Sequence, residues 1–371
     1  MTKNQISTDV LTTMNDLKQV EDEWTALADV SGSTQFSLPA YSLPWWKTHG
    51  NGELRVVAAR KNGRLVGLLP VYQRDYRIGR AEIAHLLRWL GHGYGTVASM
   101  LIAPDVDEDK VGDAIWDTLA EASPDRVALQ LIEYRVGGLG MRSLRRSKAW
   151  DPFLELRSVV PVVQIDELPK LLAGSAKRRL RHTLSTAERN LESGGHQLCM
   201  RTMTTVDEFR THLPDIDYLF DEAERHAPKL HMFDGSLRSM SLEAIETSLE
   251  SKHTVLHMAW VDERPIALDV TIVVNNCVYG YIRRHHPDAR DFSPGHLMMR
   301  QNITHALEHN IAVLDLGLGD DEYKRRWANH WYDAAVVTGG RTGHQGVGRL
   351  AVRGVDAVHS ARSRFLPSFS R

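Results

Sequence analysis

Residues 293–327, SPGHLMMRQNITHALEHNIAVLDLGLGDDEYKRRW, hold the densest set of side chains that could do chemistry. Ser293 suits a helix N-cap, and Pro294 suits the first helical position, where its missing N–H would go unpaired in any case. Gly295 follows in the first turn, where the lack of a side chain lets another group approach the backbone closely. A helix that starts this way leaves N–H groups unpaired at its positive dipole end, a setting for a phosphate or pyrophosphate. Further on, Asp315 interrupts an apolar run, so its carboxyl must reach a cleft or find a partner. Gly317 and Gly319 clear alternate positions, as where a ligand lies along one strand face. Asp320, Asp321 and Glu322 bring negative charge to the start of a short helix. On it Tyr323 and Trp327 share a face, with Lys324 offset by one position. A lysine so placed could offer a cation to a developing oxyanion or to a phosphate. Upstream, Asp269 in the run IALDVTIVV and His257 in TVLHMAWV are candidate bases. Their packing alternatives are the solvent side of a strand and an ordinary core histidine. The His285–His286 pair lacks a third ligand at sensible spacing, so no metal is expected.

These side chains need elements to hold them. Residues 295–309 read as a helix with Met299, Ile303, Ala306 and Leu307 as its buried stripe and Asn310 as a left-handed terminator. Residues 312–318 follow as a strand. Before it, KHTVLHMAWVDERPIALDVTIVVNN gives two strands around the polar turn 262–264, and CVYGYIRR a third. The first half shows a similar order. A helix is predicted over 17–30, then a loop FSLPAYSLPWW. Two β-rich runs over 53–74 join at Asn62-Gly63, a strong hairpin signal because both residues tolerate positive φ. A helix over 107–122 and a strand over 126–134 complete it, so the chain reads as a weak internal duplication of an α/β unit. Between the halves, Leu180, Leu184, Ala187 and Leu191 line one helix face, and Gly194-Gly195 stops it. Lys177, Arg178, Arg181 and Arg189 lie opposite, either a solvated face or a contact for phosphate groups. After residue 338 a Gly- and Arg-rich stretch reads as a peripheral tail.

The chain of 371 residues is long for a single core, so two domains are expected. A net charge of −2 gives no global field to recruit DNA or an anionic membrane. No run approaches the length of a membrane span, and the first residues lack the apolar core of a signal peptide. Cys199 and Cys277 have no metal-binding spacing, so a reducing, cytoplasmic setting is expected.

In its order of strand, anion-ready helix start, helix, strand with an inward acid and short Tyr-bearing helix, the second half resembles the GNAT acyltransferase fold. More closely, the chain resembles the CelD/BcsL-type acetyltransferases, relatives of the Fem-type peptidoglycan aminoacyl transferases. The segments FSLPAYSLPWW, RLVGLLPVY, KRRLRHTLSTAERNLESGG, YIRRHHPDARDFSPGHLM and LDLGLGDDEYKRRW carry the likeness. It implies an α/β fold of tandem GNAT-like domains, each a mixed, mainly antiparallel sheet flanked by helices. Residues 1–160 would form a degenerate first domain, 161–340 the domain with the acyl-donor site, and 341–371 the tail. The implied activity is transfer of an acyl group, acetyl above all, from acyl-CoA to an amine or hydroxyl of a small molecule, sugar or cell-envelope precursor.

For that activity the residues themselves suggest roles, the anion cradle being inferred from their types and positions rather than matched to the family's usual loop. Ser293, Gly295, His296, Leu297 and Arg290 would bind the donor. Lys324 or Tyr323 would stabilise the oxyanion or protonate the thiolate, and Asp315 or Asp269 would take the acceptor proton. Tyr281, Arg283, Trp327, Arg178 and Arg181 would contact substrate. The chain departs from the usual GNAT loop [QR]-x-x-G-x-[GA]: RDFSPGH keeps an arginine and one glycine at other spacings. The acceptor segment near RHAPKLHMFDG also differs, so acceptor specificity would too. Two rivals remain: a Fem-type transferase using aminoacyl-tRNA, which lacks support from any long helical arm, and a non-catalytic binding protein of the same fold.

Overall fold

The computed structural model describes residues 5–32, 34, 37–78, 80–94, 97–169, 174, 178–226, 233–343 and 350–355. The chain divides into two compact units, residues 1–158 with 333–371, and residues 159–332.

In the first unit β1 (Ile6–Leu11) leads to α1 (Met14–Gln19), α2 (Glu21–Val30) and α3 (Pro39–His49). Strands β2 (Glu53–Leu54), β3 (Val56–Lys61), β4 (Arg64–Leu69), β5 (Val71–Ile78), β6 (Ala81–Trp89) and β7 (Leu101–Ile102) follow. Then come α4 (Glu108–Glu121), β8 (Val127–Arg135), α5 (Met141–Arg146) and the start of β9 (Trp150–Gln164). One antiparallel sheet runs β1-β3-β4-β7. In a second order β8, β6, β5 and β2 are neighbours, with β6 and β8 parallel and α4 as their crossover. The β3–β4 hairpin closes at Asn62 (φ 52°) and Gly63 (φ 83°), the two positive φ values its two-residue turn requires.

Two elements differ from the sequence reading. The helix predicted over 17–30 is two helices, because Val20 leaves helical geometry (φ −106°, ψ 5°) and its N–H turns back to the Leu17 carbonyl. Thr13 and Asp16 form a reciprocal capping box that fixes where α1 starts. The loop expected at FSLPAYSLPWW is α3, with Pro39 at its start and every residue from Pro39 to Trp45 buried. Pro44 lies inside it, so burial overrides a residue that local preference would place at a helix end. Phe36 lies outside the described residues.

The second unit begins at the end of β9 and continues through α6 (Arg178–Ser193), β10 (Leu198–Met203), α7 (Val206–Thr211), α8 (Leu213–His226) and α9 (Gly235–Glu250). Strands β11 (Thr254–Val261), β12 (Arg264–Val274) and β13 (Cys277–His285) form a meander. A 3₁₀ turn over Pro287–Phe292 precedes α10 (Pro294–Glu308), β14 (Val313–Asp315) and α11 (Glu322–Trp327). The chain then enters β15 (His330–Arg341), which returns to the first unit and pairs with β8. The sheet order is β10-β11-β12-β13-β14-β9, antiparallel except for β13 and β14. That parallel pair is joined through α10.

Alternate residues of β11 and β12 point to opposite faces. Leu256, Met258, Leu268 and Val270 pack with Phe209, Phe220 and Ile245 of the helices before them. On the other face Ala259 and Ala267 pack with Leu297 and Met298 of α10. The buried stripe of α10 is rotated from the expected one: Met298, Asn302 and His305 join Met299, Ile303 and Ala306, while Leu307 is 56% exposed. Asn310 does adopt the left-handed conformation (φ 55°). The strand expected over 312–318 lasts only from Val313 to Asp315. In the stretch read as a tail, Val352 and Val355 are buried against Ala84, Leu86 and Ala128. Residues 344–349 and 356–371 of that tail lie outside the described residues.

Candidate functional site

The site is built where β13 and β14 part. Their parallel pairing covers three positions, ending at Tyr279 opposite Asp315. Beyond it β13 continues to His285, while the other chain turns away. The turn has a specific cause. Asp315 Oδ1 accepts the Gly317 N–H at 2.8 Å, and Oδ2 accepts the Tyr332 hydroxyl at 2.7 Å. Gly317 (φ 73°) takes the left-handed geometry this turn demands. Asp315 therefore holds the backbone at the end of the strand, and its carboxylate is engaged on both oxygens.

On its other side β13 carries a bulge. Val270 pairs with Ile282 but Thr271 with Gly280, so Tyr281 is an extra residue whose backbone falls outside the ladder. Next along the strand, Arg283 lies opposite Asp269, which in turn lies opposite His257 on β11. This row faces α10. Asp269 is 1% exposed and accepts Arg283 Nε–H at 3.0 Å and Asn302 Nδ2–H at 2.6 Å. Arg283 Nη2 also reaches the same carboxylate. Burial pushes the Asp269 carboxyl above the ordinary range, and the Arg283 charge and the two hydrogen bonds pull it back. Asp269 is thus the anchor of Arg283 rather than an open base. Arg283 lies over the Tyr323 ring at 5.6 Å, and its Nη1 is buried without a hydrogen-bond partner. The Asn302 signal was present in the sequence as an Asn in mid-helix, three positions after Met299 and four before Ala306, but its role was not legible there.

At the start of α10 the structure differs from expectation in detail. Ser293 occupies the N-cap but in left-handed geometry (φ 49°, ψ 54°), and its side chain makes no cap. Its carbonyl accepts the N–H groups of His296 (2.9 Å) and Leu297 (3.2 Å). Leu297 is fully buried in the core, so its contribution is packing. A side chain built at Gly295 would meet nothing within 4 Å, so the backbone there is open. No acidic residue lies in the first turn. His296 Nδ1 accepts the indole N–H of Trp327 at 2.9 Å, so its neutral ring carries the proton on Nε2. Burial, with Arg326 and Arg283 nearby, lowers His296 to about 4. Arg290 is exposed on the 3₁₀ turn before the helix.

Lys324 is 7% exposed, and its Nζ donates to the carbonyls of Gly317 (3.3 Å) and Leu318, with Asp321 at 3.7 Å. Burial lowers its pKa. It therefore clamps the turn that follows β14. Tyr323 is half-buried, and burial raises its pKa, keeping the phenol protonated. Tyr281, also half-buried, packs beside Ile282. His257 is a core histidine: Nδ1 meets the Thr202 hydroxyl at 3.0 Å and burial lowers it to about 3. Arg178 and Arg181 are exposed on α6, and Arg181 donates to the Gly174 carbonyl at 2.9 Å. The buried side of that helix packs near the opening, with Leu180 against Val278, Leu314 and Trp327, and Arg179 lies 3.7 Å from Glu322. Residues 227–232 of the expected acceptor segment lie outside the described residues. Among the described residues no group of three or more His, Cys, Asp or Glu could hold a metal ion, and no helix is long and apolar enough to cross a membrane.

The geometry combines a parted parallel pair, a bulge and an open, acid-free helix start next to a partly unpaired guanidinium. Crossovers of this kind receive ligands at the carboxyl ends of their parallel strands. Residues 178–325 match the sequence model of the acetyltransferase (GNAT) domain family. No curated protein sequence matches the chain. Among solved structures, the chain is similar to FemX, with 12% identity, TM-score 0.62, and 89% of this chain and 96% of that one covered. It is also similar to the C-terminal domain of a protein named as a lysylphosphatidylglycerol synthetase from Agrobacterium fabrum (12%, TM-score 0.60, 92% and 96%). L-PGS from Bacillus licheniformis is a third (11%, TM-score 0.55, 85% and 90%). These likenesses establish the fold, and residues 178–325 carry the match to an acyltransferase domain of the GNAT type.

Proposed function

We propose that the second unit transfers an acyl group, acetyl above all, from acyl-CoA to an amine or hydroxyl, as in CelD/BcsL-type acetyltransferases. The observation that carries this reading is the opening between β13 and β14 beside the acid-free start of α10. The residues present fit such a donor. The open backbone at Gly295 and the first-turn amides suit a pyrophosphate, with Arg283 Nη1–H and His296 Nε2–H as additional donors. The bound thioester supplies the electrophilic carbonyl. The bulge at Tyr281 leaves backbone N–H outside the ladder to polarise it. Acceptor attack forms the new C–N or C–O bond as the C–S bond breaks. Tyr323, held protonated, gives its proton to the departing thiolate, and the proton released by the acceptor nitrogen or oxygen passes through water to the phenolate, restoring the phenol. Lys324 positions the turn, and Asp269 positions Arg283.

Features of the first unit support a single donor site. Its corresponding helix α4 has Asp107 at the N-cap with Glu108 and Asp109 in the first turn, which repel an anion. The chain itself fills the gap beside β8, where Ala98 N–H donates to the Glu133 carbonyl and Ala98 bridges Tyr134.

A second reading, an aminoacyl-tRNA donor, is favoured by one observation: Arg178, Arg179, Arg181 and Arg189 are all exposed on α6. Two titrations separate the readings. Calorimetry with CoA and acetyl-CoA gives saturable binding on the first; no heat at millimolar ligand, with salt-sensitive retention of charged tRNA on filters, supports the second. If neither binds, the fold serves as a binding module. Small molecules, sugars and envelope precursors are the acceptor classes to assay.

A further inference from the structure

The first unit holds a buried cation with no counter-charge among the described residues. Arg88 on β6 is 4% exposed, yet no carboxylate among those residues lies within ion-pair distance of it. Its Nε–H goes to Gln130 Oε1 at 2.6 Å, it also donates to the Tyr72 hydroxyl, and its guanidinium lies over the Tyr76 ring at 5.2 Å. An arginine buried against neutral partners is costly unless something completes its charge.

The surroundings are arranged by register. Tyr72 lies directly opposite Arg88, and Arg74 and Tyr76 follow on the same face of β5. The Tyr72 ring packs against Trp45 at 5.5 Å and Trp46 at 5.4 Å, both from α3. Trp45 is itself 3% exposed, and its indole N–H is buried without a hydrogen-bond partner. Arg74 brings a second guanidinium to the Tyr76 ring, also at 5.2 Å. Tyr72 thus joins a buried guanidinium to an aromatic pair with an unpaired indole donor, and Trp46, Arg74 and Tyr76 are half-buried. Arginine presents planar paired donors matched to carboxylate or phosphate, and aromatic faces take the apolar or planar part of the same molecule.

We propose that this cluster binds the anionic end of a small organic molecule, a carboxylate or a phosphate, against Arg88, with the rest of the molecule on Tyr76 and Trp46. The site is separate from the donor opening and does not depend on the reading of that opening.

The test uses the full chain carrying Gly295→Trp, which blocks the other candidate anion site. Inorganic phosphate, phenyl phosphate and phenylacetate are titrated by calorimetry. Expected is binding of phenyl phosphate or phenylacetate, the better of the two naming the head group. Arg88→Met should weaken it at least about tenfold, Arg88→Lys less, and Tyr76→Leu should reduce phenyl phosphate to the level of inorganic phosphate. Where Arg88→Met does not fold, the ¹⁵N-indole resonance of Trp45 in the Gly295→Trp chain decides the question, since it must shift with the bound probe. Unchanged affinity in Arg88→Met, an unmoved Trp45 resonance, or no binding of any probe at about 10 mM overturns the proposal.

Discussion

Asp269 and Arg283 face each other across the β12–β13 ladder, and Asn302 reaches down from α10 to the same carboxylate oxygen at 2.6 Å. The three fix a guanidinium whose Nη1 is left without a partner beside Tyr323. A side chain so immobilised can direct a charge-assisted hydrogen bond without the entropy cost of ordering a long arginine.

Removing the anchor should therefore cost both stability and activity. Asp269→Ala strands a largely buried guanidinium and should lower unfolding free energy by about 3 kcal/mol or more in urea titrations. Asp269→Leu combined with Arg283→Met should recover much of that stability but none of the donor affinity. A cost near zero for Asp269→Ala would show that the pair holds nothing in place.

Lys324→Met should act through the turn rather than through a lost proton donor. Two carbonyls lose their shared donor, for a stability loss of about 1–3 kcal/mol. Because the turn shapes the opening, KM for the acyl donor should rise. If kcat collapses while stability and KM hold, the lysine is catalytic instead.

Stability should fall as pH drops from 6.5 toward 4. His296 titrates at about 4 in the folded chain against 6.5 ordinarily. Across that window the unfolded chain binds a proton that the folded chain refuses, so folding weakens with acid. Allowing for partial exposure, the His296 share is of order 1 kcal/mol. Urea midpoints at pH 7 and pH 4.5 should differ less in His296→Gln than in the parent; an equal difference would remove His296 as the source.

Gly295→Trp should leave the fold intact, because the space beyond its Cα is open, and weaken CoA binding at least about tenfold. Equal affinity in calorimetry, at an unchanged melting temperature, would move the donor away from the start of α10.

Much of the architecture is legible locally. Asn62-Gly63 makes its turn because two residues that tolerate positive φ sit between β-rich runs. Pro294 and Gly295 mark the start of α10, and Asn310 its end, for reasons confined to a few bonds. The order of elements in the second half was readable on the same basis. Where local rules failed, burial prevailed: α3 forms over two prolines because every residue from Pro39 to Trp45 is buried.

The site divides along the same line. The sequence by itself determined which groups stand near the opening, since Arg283, Gly295, His296, Tyr323 and Lys324 follow from the strand–helix–strand order. Only the tertiary structure decided what each one does. Lys324 spends its donors on carbonyls six and seven residues away, and Asp315 accepts from the Gly317 amide and the Tyr332 hydroxyl. Asp269 meets Arg283 through a sheet register displaced by one bulge at Tyr281. A hydrogen bond depends on tenths of an ångström between segments far apart in the chain, and no local pattern encodes that distance.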